Sequence, residues 1–227
     1  MVLEKVPFKV RSVVEECVKS QAAKAGQKHV VVHFECASGA STVVAGDPLR
    51  MRQIVLLRGI NLGARNRIAM SELSRLLIGA GMEDVRTYLQ SGNVVLWSAQ
   101  PAGGLAAECR RVIAEGFGLE VAVIVRSRDE LAEIVERNPL AEVAVNAKRY
   151  QVSFLDRALD AQALRELSEL AVGGERFVAI GRELYAWHPD GIARSRLWAR
   201  LAARRLGVSA TARNWTTVTN LLAMADA

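Results

Sequence analysis

The sequence is poor in the residues that mark disulfide-rich, redox and membrane proteins. Its three cysteines, Cys17, Cys36 and Cys109, are odd in number and have no Cys-x-x-Cys or metal-binding spacing, so ordinary thiols are expected. No apolar run approaches the roughly 18 to 20 residues that span a bilayer, and the N-terminus lacks the residue order of a secretory signal. These absences predict a cytoplasmic protein with no membrane partner.

Groups suited to metal binding or acid-base catalysis are also scarce. His29 and His33 are predicted to be strand residues, and His188 lies in a Pro-Asp-Gly turn with no serine, cysteine or carboxylate placed near it by the sequence. Glu83 and Asp84 are interpreted as a solvated loop before a strand. The sequence therefore predicts no bound metal and no cofactor, and it favours a turn residue over a general base at His188.

The chain does contain enough apolar material for a folded core. Of its 227 residues, 51% are hydrophobic and 24% are charged, which predicts one large globular domain or two small ones. The formal net charge of +6 favours weak attraction to phosphate-bearing partners such as nucleic acid. An arginine-rich coding bias would produce the same charge without such a partner, so both interpretations stay open.

A compositional boundary near Met51 divides the chain. Five of the six lysines lie at or before Lys28, whereas a single lysine, Lys148, accompanies twenty-two arginines after Met51. Two segments with different coding histories are therefore predicted. Residues 1–50 form an N-terminal extension that is not an independent domain, and the downstream body divides into residues 51–137 and 138–227.

The segment before the boundary has a short α/β pattern. The predicted elements are a helix over residues 10–28, strands Val30–Glu35 and Thr42–Val44, and a helix that starts at Asp47-Pro48. The runs "VPFKVRSVVEECVKSQAAKAGQKHVVVHFE" and "VVAGDPLRMRQI" resemble the part of a hybrid sensor histidine kinase that leads into its ATP-binding domain, over residues 1–54.

The kinase resemblance implies no catalytic competence. Of the two asparagines that the family uses to hold magnesium and phosphate, the first position is Leu57 and only Asn61 matches the second. The Asp-x-Gly-x-Gly adenine-binding box does not occur. The resemblance therefore implies a truncated remnant or a non-native extension.

Residues 51–137 have the order strand, helix, strand, strand, helix, strand. The predicted elements are the strand Gln53–Leu57, the helix Ser71–Ile78 capped at Ser71, the strands Val85–Leu89 and Val94–Trp97, the helix Leu105–Phe117 and the strand Val121–Val125. A turn through residues 90–93 favours a hairpin between the second and third strands. This order is that of the split βαβ, or ferredoxin-like, fold.

The second half of the body partly repeats this pattern. After a linking helix Arg128–Arg137, the predicted elements are the strand Tyr150–Leu155, the helix Ala161–Leu170, the strands Arg176–Ile180 and Leu184–Trp187, the helix Ile192–Leu206, a short extended piece and a final helix from Thr216. The predicted fold class is therefore α+β, with two ferredoxin-like units and a short α/β N-terminal extension.

Motifs spread along the body carry a second resemblance. "LLRGINLGARNRIAMSEL", "VRTYLQSGNVV", Asn138-Pro139, "YAWHPDGIARSRL" and "TARNWTTVTNLLAMA" occur in the order found in the bacterial domain of unknown function 1697 family, over Met51–Ala227. The resemblance implies a pair of ferredoxin-like α/β units in a small cytoplasmic protein without an established reaction. The sequence departs from the family at Ala64, where a second glycine is usual, and at Arg196, where lysine is usual.

The same motifs are rich in groups that bind anions. Guanidinium groups suit carboxylate and phosphate, and loops at strand ends are common places for such sites. The candidate ligand-binding residues are Arg58, Asn61, Arg65, Asn66, Arg67, Ser91, Asn93, Arg194, Arg196, Arg213, Asn214 and Trp215. We therefore expect a binder of a small phosphate- or carboxylate-bearing ligand, with nucleotides and nucleic acid among the partners that fit.

Structural roles compete with binding at some of these positions. Asn93 and Gly92 suit a turn that needs a left-handed residue, Trp215 suits either a hydrophobic plug or a stacking ring, and Asn214 suits a cap. An enzyme of unknown reaction is the alternative function. Its oxyanion stabilisers would be Arg58, Asn61, Arg194 and Arg213.

Overall fold

The computed structural model describes residues 7–9, 43–45, 51–63, 66–203 and 207–227, which belong to two compact units, Met1–Arg50 and Met51–Ala227. In the first unit, β1 (Pro7–Lys9) pairs antiparallel with β2 (Val43–Ala45). The latter overlaps the predicted strand Thr42–Val44. The predicted strand Val30–Glu35 and both predicted helices of this segment lie outside the described residues.

The first sheet of the second unit is antiparallel, with the order β4-β5-β3-β6. Its strands are β3 (Met51–Leu57), β4 (Glu83–Tyr88), β5 (Asn93–Ser98) and β6 (Val123–Ser127). β3 has a neighbour on each side, and its residues from Arg52 onward are all buried. The residues "MRQI" therefore form a strand. The kinase resemblance would place them in a helix, and the second resemblance places them in a strand.

Two helices, α1 (Met70–Gly79) and α2 (Ala102–Phe117), cover one face of this sheet. Alternate side chains of a strand point to opposite faces, so Val55 and Leu57 pack against these helices while Ile54 and Leu56 point to the other face. Leu73 and Leu77 of α1 recur at helical spacing and are almost fully buried. The outer face of the sheet is thus closed by an apolar layer.

The second sheet is also antiparallel, with the order β10-β7-β9-β8. Its strands are β7 (Tyr150–Leu155), β8 (Arg176–Ile180), β9 (Glu183–Trp187) and β10 (Ala210–Asn214). The helices α4 (Ala161–Leu170) and α5 (Arg196–Ala202) pack on one face through Leu167, Leu197 and Leu201.

Apolar residues of both sheets meet in one shared core. Ile54 and Leu56 of the first sheet and Val152 and Phe154 of the second belong to the same buried cluster. The helices α3 (Arg128–Arg137) and α6 (Trp215–Asp226) contribute Leu131, Ile134, Val218 and Leu221 to it. The inner faces of both sheets are therefore buried together.

The part of the chain that is described thus contains two four-stranded antiparallel sheets and six helices, which confirms the prediction of a mixed architecture. The bounds of the linking helix, β7, α4 and β8 agree with the predicted ones. None of the described helices is both long and apolar enough to cross a membrane.

Three local predictions are wrong. α1 begins at Met70 after Ala69 and has no side-chain cap, so Ser71 lies inside the first turn. The helix predicted over Ile192–Leu206 is described as Arg196–Ala202, because the Ser195 hydroxyl accepts a hydrogen bond from the Trp198 amide and starts the helix there. Glu83 and Asp84 belong to β4 and do not form a solvated loop.

The strand before α3 is also shifted. The prediction placed it at Val121–Val125, whereas β6 covers Val123–Ser127 and pairs with β3 along that length. Ser127 then caps α3 directly: its hydroxyl accepts from the Glu130 amide, and the Glu130 carboxylate accepts from the Ser127 amide. The strand therefore runs into the helix without a connecting loop.

Candidate functional site

The loop that follows β3 is fixed by the side chain of Asn61. Its amide nitrogen donates to the carbonyl oxygens of Ile68 (2.9 Å) and Gln90 (2.7 Å), and its oxygen accepts from the Ile68 amide (2.9 Å). Asn61 itself has a φ of 55°, in the left-handed region that asparagine tolerates better than most residues. Both of its donors are engaged within the protein, so Asn61 shapes the site and has no free donor for a ligand.

Arg213 connects β10 with the end of β3 and with the β4-β5 turn. Its Nη2 donates to the carbonyl oxygens of Leu57 (2.9 Å), Ser91 (3.0 Å) and Gly92 (3.0 Å). Its Nε donates to the Asn93 side-chain oxygen. The guanidinium group therefore fastens elements of both sheets to each other.

The remaining nitrogen of Arg213 is engaged as well. Nη1 donates to the Thr211 hydroxyl and to the Ala212 carbonyl, both at 2.8 Å. The side chain is almost fully buried, and no carboxylate of the described residues forms an ion pair with it. Burial lowers the pKa of Arg213 to about 10, which still leaves the group protonated at neutral pH. A buried cation thus stands among neutral oxygens.

A cavity of about 370 Å³ lies beside Arg213, and we call it the inner cavity. Its walls are the loop after β3, the strand β10 and the helix α5. The apolar part of the wall is Leu57, Ile60, Leu62, Trp198 and Leu201, and the polar part includes Arg58, Asn66, Ser91, Ser153, Thr211 and Arg213. The cavity therefore offers an apolar lining with a few polar groups, which is typical of small-molecule sites.

A wider cleft of about 810 Å³ adjoins the inner cavity, and we call it the outer cleft. Four arginines and two carboxylates contribute to its wall: Arg58, Arg110, Arg111, Arg157, Glu120 and Asp156. Arg58 and Glu120 line both spaces. The two spaces together form the candidate site, with five arginines against two acidic side chains.

The arginines of the outer cleft differ in how far their donors are used. Arg111 forms ion pairs with Glu108 and Glu115, whose hydrogen bonds raise its pKa. Arg157 donates to the Gly207 carbonyl, and Arg58 donates to the Ala202 carbonyl at 2.9 Å.

Arg110 differs from its neighbours. It is exposed, and no residue in the described ranges forms a hydrogen bond or ion pair with it. It is therefore the arginine of the outer cleft with the most donors available to a ligand.

Several predicted site residues lie away from this site. Arg65 is outside the described residues, and Arg67 is exposed on the loop after β3. Arg194 lines a separate hollow of about 420 Å³ with Glu175, and Arg196 is the exposed first residue of α5. The structure thus brings Arg58, Asn66, Ser91 and Arg213 together at one cavity and leaves Arg194 apart.

Three further candidates have structural contacts. Asn93 is fully buried, and its amide nitrogen donates to the Tyr88 carbonyl and the Ser91 hydroxyl. Asn214 caps α6 by accepting a hydrogen bond from the Thr217 amide at 2.9 Å. The Trp215 ring stacks on Tyr150 with ring centres 4.8 Å apart, beside the shared core. These contacts agree with the cap interpretation of Asn214 and the plug interpretation of Trp215. Of the turn pair, Gly92 has a left-handed φ of 78°, whereas Asn93 is the first residue of β5 and has no positive φ.

A buried histidine-carboxylate pair near α5 was missed by sequence reasoning. His188 Nδ1 lies 2.7 Å from a Glu175 carboxylate oxygen, a partner that the sequence alone did not place near it. His188 is fully buried, its Nε2 has no hydrogen-bond partner in the described part of the chain, and its ring meets Trp198 edge-on at 5.9 Å. The His188–Glu175 pair therefore lies next to Trp198, which lines the inner cavity.

Glu175 keeps its charge in this environment. Burial acts to raise its pKa, but hydrogen bonds from the Ser195 hydroxyl, His188 and the Val172 amide outweigh that effect, and the pKa lies below its usual value. In the described ranges, no group of three or more histidine, cysteine, aspartate or glutamate side chains is arranged to hold a metal ion. The polar chemistry found here is that of arginine, amide and hydroxyl groups.

The fold and this site define an α+β protein of two antiparallel sheets, with an arginine-lined cleft and cavity where the loop after β3 meets β10. Residues 51–185 match the family described as "Protein of unknown function (DUF1697)", and the chain belongs to that family. The match starts at the compositional boundary. No comparison supports the kinase resemblance of the residues before it.

A solved structure resembles the chain in fold. The conserved bacterial protein SP0830 from Streptococcus pneumoniae aligns with a TM-score of 0.64 and 22% identity, covering 78% of this chain and 99% of its own. The protein TA0507, provisionally described as a chlorite dismutase, aligns at 11% identity over 77% of this chain and 98% of its own, with a TM-score of 0.24, too low to indicate a shared fold. No curated protein matches the sequence.

Proposed function

We propose that this protein binds a small phosphate- or carboxylate-bearing ligand in the outer cleft and inner cavity. The observation that carries the proposal is the excess of arginine around the two spaces, five arginines against two carboxylates, with Arg110 exposed and unbonded to any described residue. Arg213 adds a buried positive charge beside the inner cavity, and its field favours an anion in the adjoining cleft. Arg110 supplies donors on the exposed side.

We also propose that each sheet with its two outer helices is a ferredoxin-like unit. The strand order supports this proposal. In each half, counted along the chain, the strands lie in the order second, third, first, fourth across the sheet, read from opposite edges in the two sheets. In that arrangement the site lies where the end of the first strand of one unit meets the last strand of the other. Residues of both ferredoxin-like units, each within residues 51–227, therefore line the site together.

The anion proposal is tested by calorimetric titration with pyrophosphate and with citrate at low and high salt. We expect binding that Arg110→Gln and Arg157→Gln each weaken about tenfold, as expected for loss of a charged hydrogen bond worth roughly 1.5 kcal/mol. Arg137→Gln is the matched control, since it removes an exposed arginine of α3 that lines neither space. Equal weakening by all three variants, or no binding at either salt concentration, would contradict the proposal.

The geometry gives less support to an enzyme that uses arginine and asparagine to stabilise an oxyanion. That role needs free donors converging on one point. Arg194 lines a different hollow, and the donors of Asn61 and Arg213 are engaged by protein oxygens. A ligand-binding role needs only the positive potential and the donors of Arg110.

A remnant of a histidine kinase without catalytic competence remains the hypothesis for residues 1–50. Because the adenine-binding box does not occur, a remnant predicts equal ATP affinities for the full chain and for a chain that starts at Met51. Titration of both proteins with ATP and with pyrophosphate tests this, since the outer cleft would take both ligands in either protein. Tighter ATP binding by the full chain would contradict the remnant and favour an ATP-binding kinase segment.

A further inference from the structure

The wall of the inner cavity has features that suit a flat ring with polar edges. The indole of Trp198 and the side chains of Ile60 and Leu201 provide apolar surface. Its volume of about 370 Å³ lies within the roughly 300 to 1,000 Å³ of small-molecule pockets. A flat ring packed against an indole gains stacking energy, and this is true of every nucleic-acid base. An apolar ring system is therefore favoured over a fully hydrated ion in this space.

Ser153 adds a polar group to this wall. The residue is only 2% exposed, it lines the cavity, and its hydroxyl forms no hydrogen bond with another residue of the described ranges. A buried hydroxyl is normally satisfied, so this group has both a donor and an acceptor to offer. A heterocycle with ring nitrogens or carbonyls would use it, whereas an alkyl chain would leave it unsatisfied.

The outer cleft suits the other end of the same molecule. Arg110, Arg157 and Arg58 line it, and guanidinium groups match the geometry of phosphate oxygens. Arg58 belongs to both walls, so a ligand seated in the cavity reaches the cleft without leaving the site. One molecule with a ring at one end and a phosphate at the other would fill both spaces.

We infer that the ligand is a nucleoside monophosphate or a close relative, with its base in the inner cavity against Trp198 and its phosphate in the outer cleft at Arg110. This inference rests on the proposed anion-binding function and specifies it. A monomer is favoured over a nucleic-acid strand because Trp198 is the single aromatic side chain among the described residues of the cavity wall, whereas a strand needs an open groove with several stacking surfaces.

The test is a calorimetric titration of the full chain with AMP, GMP, CMP and UMP, the four nucleosides, inorganic phosphate and a single-stranded RNA octamer. We expect at least one monophosphate to bind about tenfold more tightly than both phosphate and its own nucleoside. Stacking of a single base and a charged hydrogen bond to the phosphate are each comparable in free energy with a tenfold change.

Two variants locate the two ends of the ligand. Trp198→Leu is expected to remove the advantage of the nucleotide over phosphate and to leave phosphate binding unchanged. Arg110→Gln is expected to weaken nucleotide and phosphate equally and to leave nucleoside binding unchanged. Because Trp198 also contacts His188, Ser153→Ala is the second cavity variant and should weaken the nucleotide but not phosphate.

The remaining outcomes separate this inference from the broader proposal. Equal affinity for nucleotide and phosphate would overturn the nucleotide inference and leave anion binding intact. No binding of any anion would overturn both. Binding of the RNA octamer more tightly than any monophosphate, with a steep dependence on salt, would overturn the monomer in favour of a nucleic-acid partner.

Discussion

At the scale of single residues, Arg213 fastens the loop after β3 to β10. Replacing it with methionine would remove a buried charge and would leave the Ser91 carbonyl and the Asn93 side-chain oxygen without the donor that Arg213 supplies. The carbonyls of Leu57 and Gly92 would each lose one of two donors, because the Thr211 hydroxyl and the Leu57 amide still bond them. We expect Arg213→Met to lower the free energy of unfolding by about 3 kcal/mol, because the cost of unsatisfied buried groups exceeds the relief of desolvation. Urea denaturation followed by circular dichroism measures this change.

The control for Arg213 is Arg67→Met. Arg67 is an exposed arginine on the loop after β3 and forms no hydrogen bond with a described residue. Its replacement should therefore change the free energy of unfolding by less than about 0.5 kcal/mol. A loss below about 1 kcal/mol for Arg213→Met would show that the hydrogen bonds of Arg213 contribute little.

Also at this scale, Glu175 links stability to pH. Its folded-state pKa lies below the unfolded value of about 4.3, so it contributes stability above that value and loses the contribution as the pH falls through its folded pKa. We expect the wild-type protein to lose more stability between pH 7 and pH 3 than Glu175→Gln does. Urea midpoints at several pH values test this, and parallel pH profiles would contradict it.

At the scale of elements, the β4-β5 turn depends on Gly92. Its φ is +78°, and a Cβ there would lie 2.6 Å from the Leu57 Cβ and 2.9 Å from the Ile60 Cδ1. Gly118, which ends α2, has a similar φ of +65° with no atom within 4 Å of such a Cβ. The two glycines therefore share the backbone strain and differ in the clash.

We expect Gly92→Ala to destabilise the protein by about 1 to 3 kcal/mol more than Gly118→Ala, because only the former adds overpacking to left-handed strain. Thermal or urea unfolding of the two variants gives the difference directly. Equal losses would mean that the turn moves away from Leu57 at no cost.

The elements also show where sequence patterns were informative. α3 has a capping serine, an acidic first turn and a proline after its end, and all these signals agree with the apolar spacing. α5 was predicted too long because residues 192–195 fit a helical pattern, whereas the Ser195 hydroxyl bonds the Trp198 amide and sets a later start. Ser71 is not the cap because α1 begins earlier, at Met70, after Ala69. Local capping propensity favours serine over alanine and therefore indicated the wrong position.

At the scale of the whole molecule, a buried ion pair connects the two sheets. Arg126 of β6 donates to the Glu183 carboxylate of β9 at 2.9 Å and to the Leu155 carbonyl at 2.8 Å. Both side chains are more than nine-tenths buried. Removing one partner of such a pair leaves an uncompensated charge, which costs far more than losing a surface pair.

We expect Glu183→Gln to lower the free energy of unfolding by about 3 to 5 kcal/mol, and to leave a single cooperative transition because both sheets share one core. Glu133→Gln, which breaks the exposed pair with Arg137, should cost at most about 1 kcal/mol. Calorimetry checks both points. Two separate transitions in a chain that starts at Met51 would contradict the shared core.

The candidate site was only partly predictable. Arg58, Asn66 and Ser91 follow strands and could be selected because loops at strand ends hold sites. Arg110 and Trp198 lie on helices, where an arginine looks like a solvated surface residue and a tryptophan like a core residue. Glu175 and His188 are 13 positions apart with a turn and two strands between them, so no spacing rule pairs them.

The sequence by itself determined the type and order of the elements in residues 51–227, the boundary at Met51 and the excess of arginine, because these depend on local spacing and composition. The tertiary structure alone decided which arginines are buried and which face the cleft. It brought Arg213 to the end of β3, 156 positions away, and placed Glu183 against Arg126. The reason is that pairing of distant strands sets each side chain's neighbours, and the neighbours determine whether a charge serves the core or a ligand.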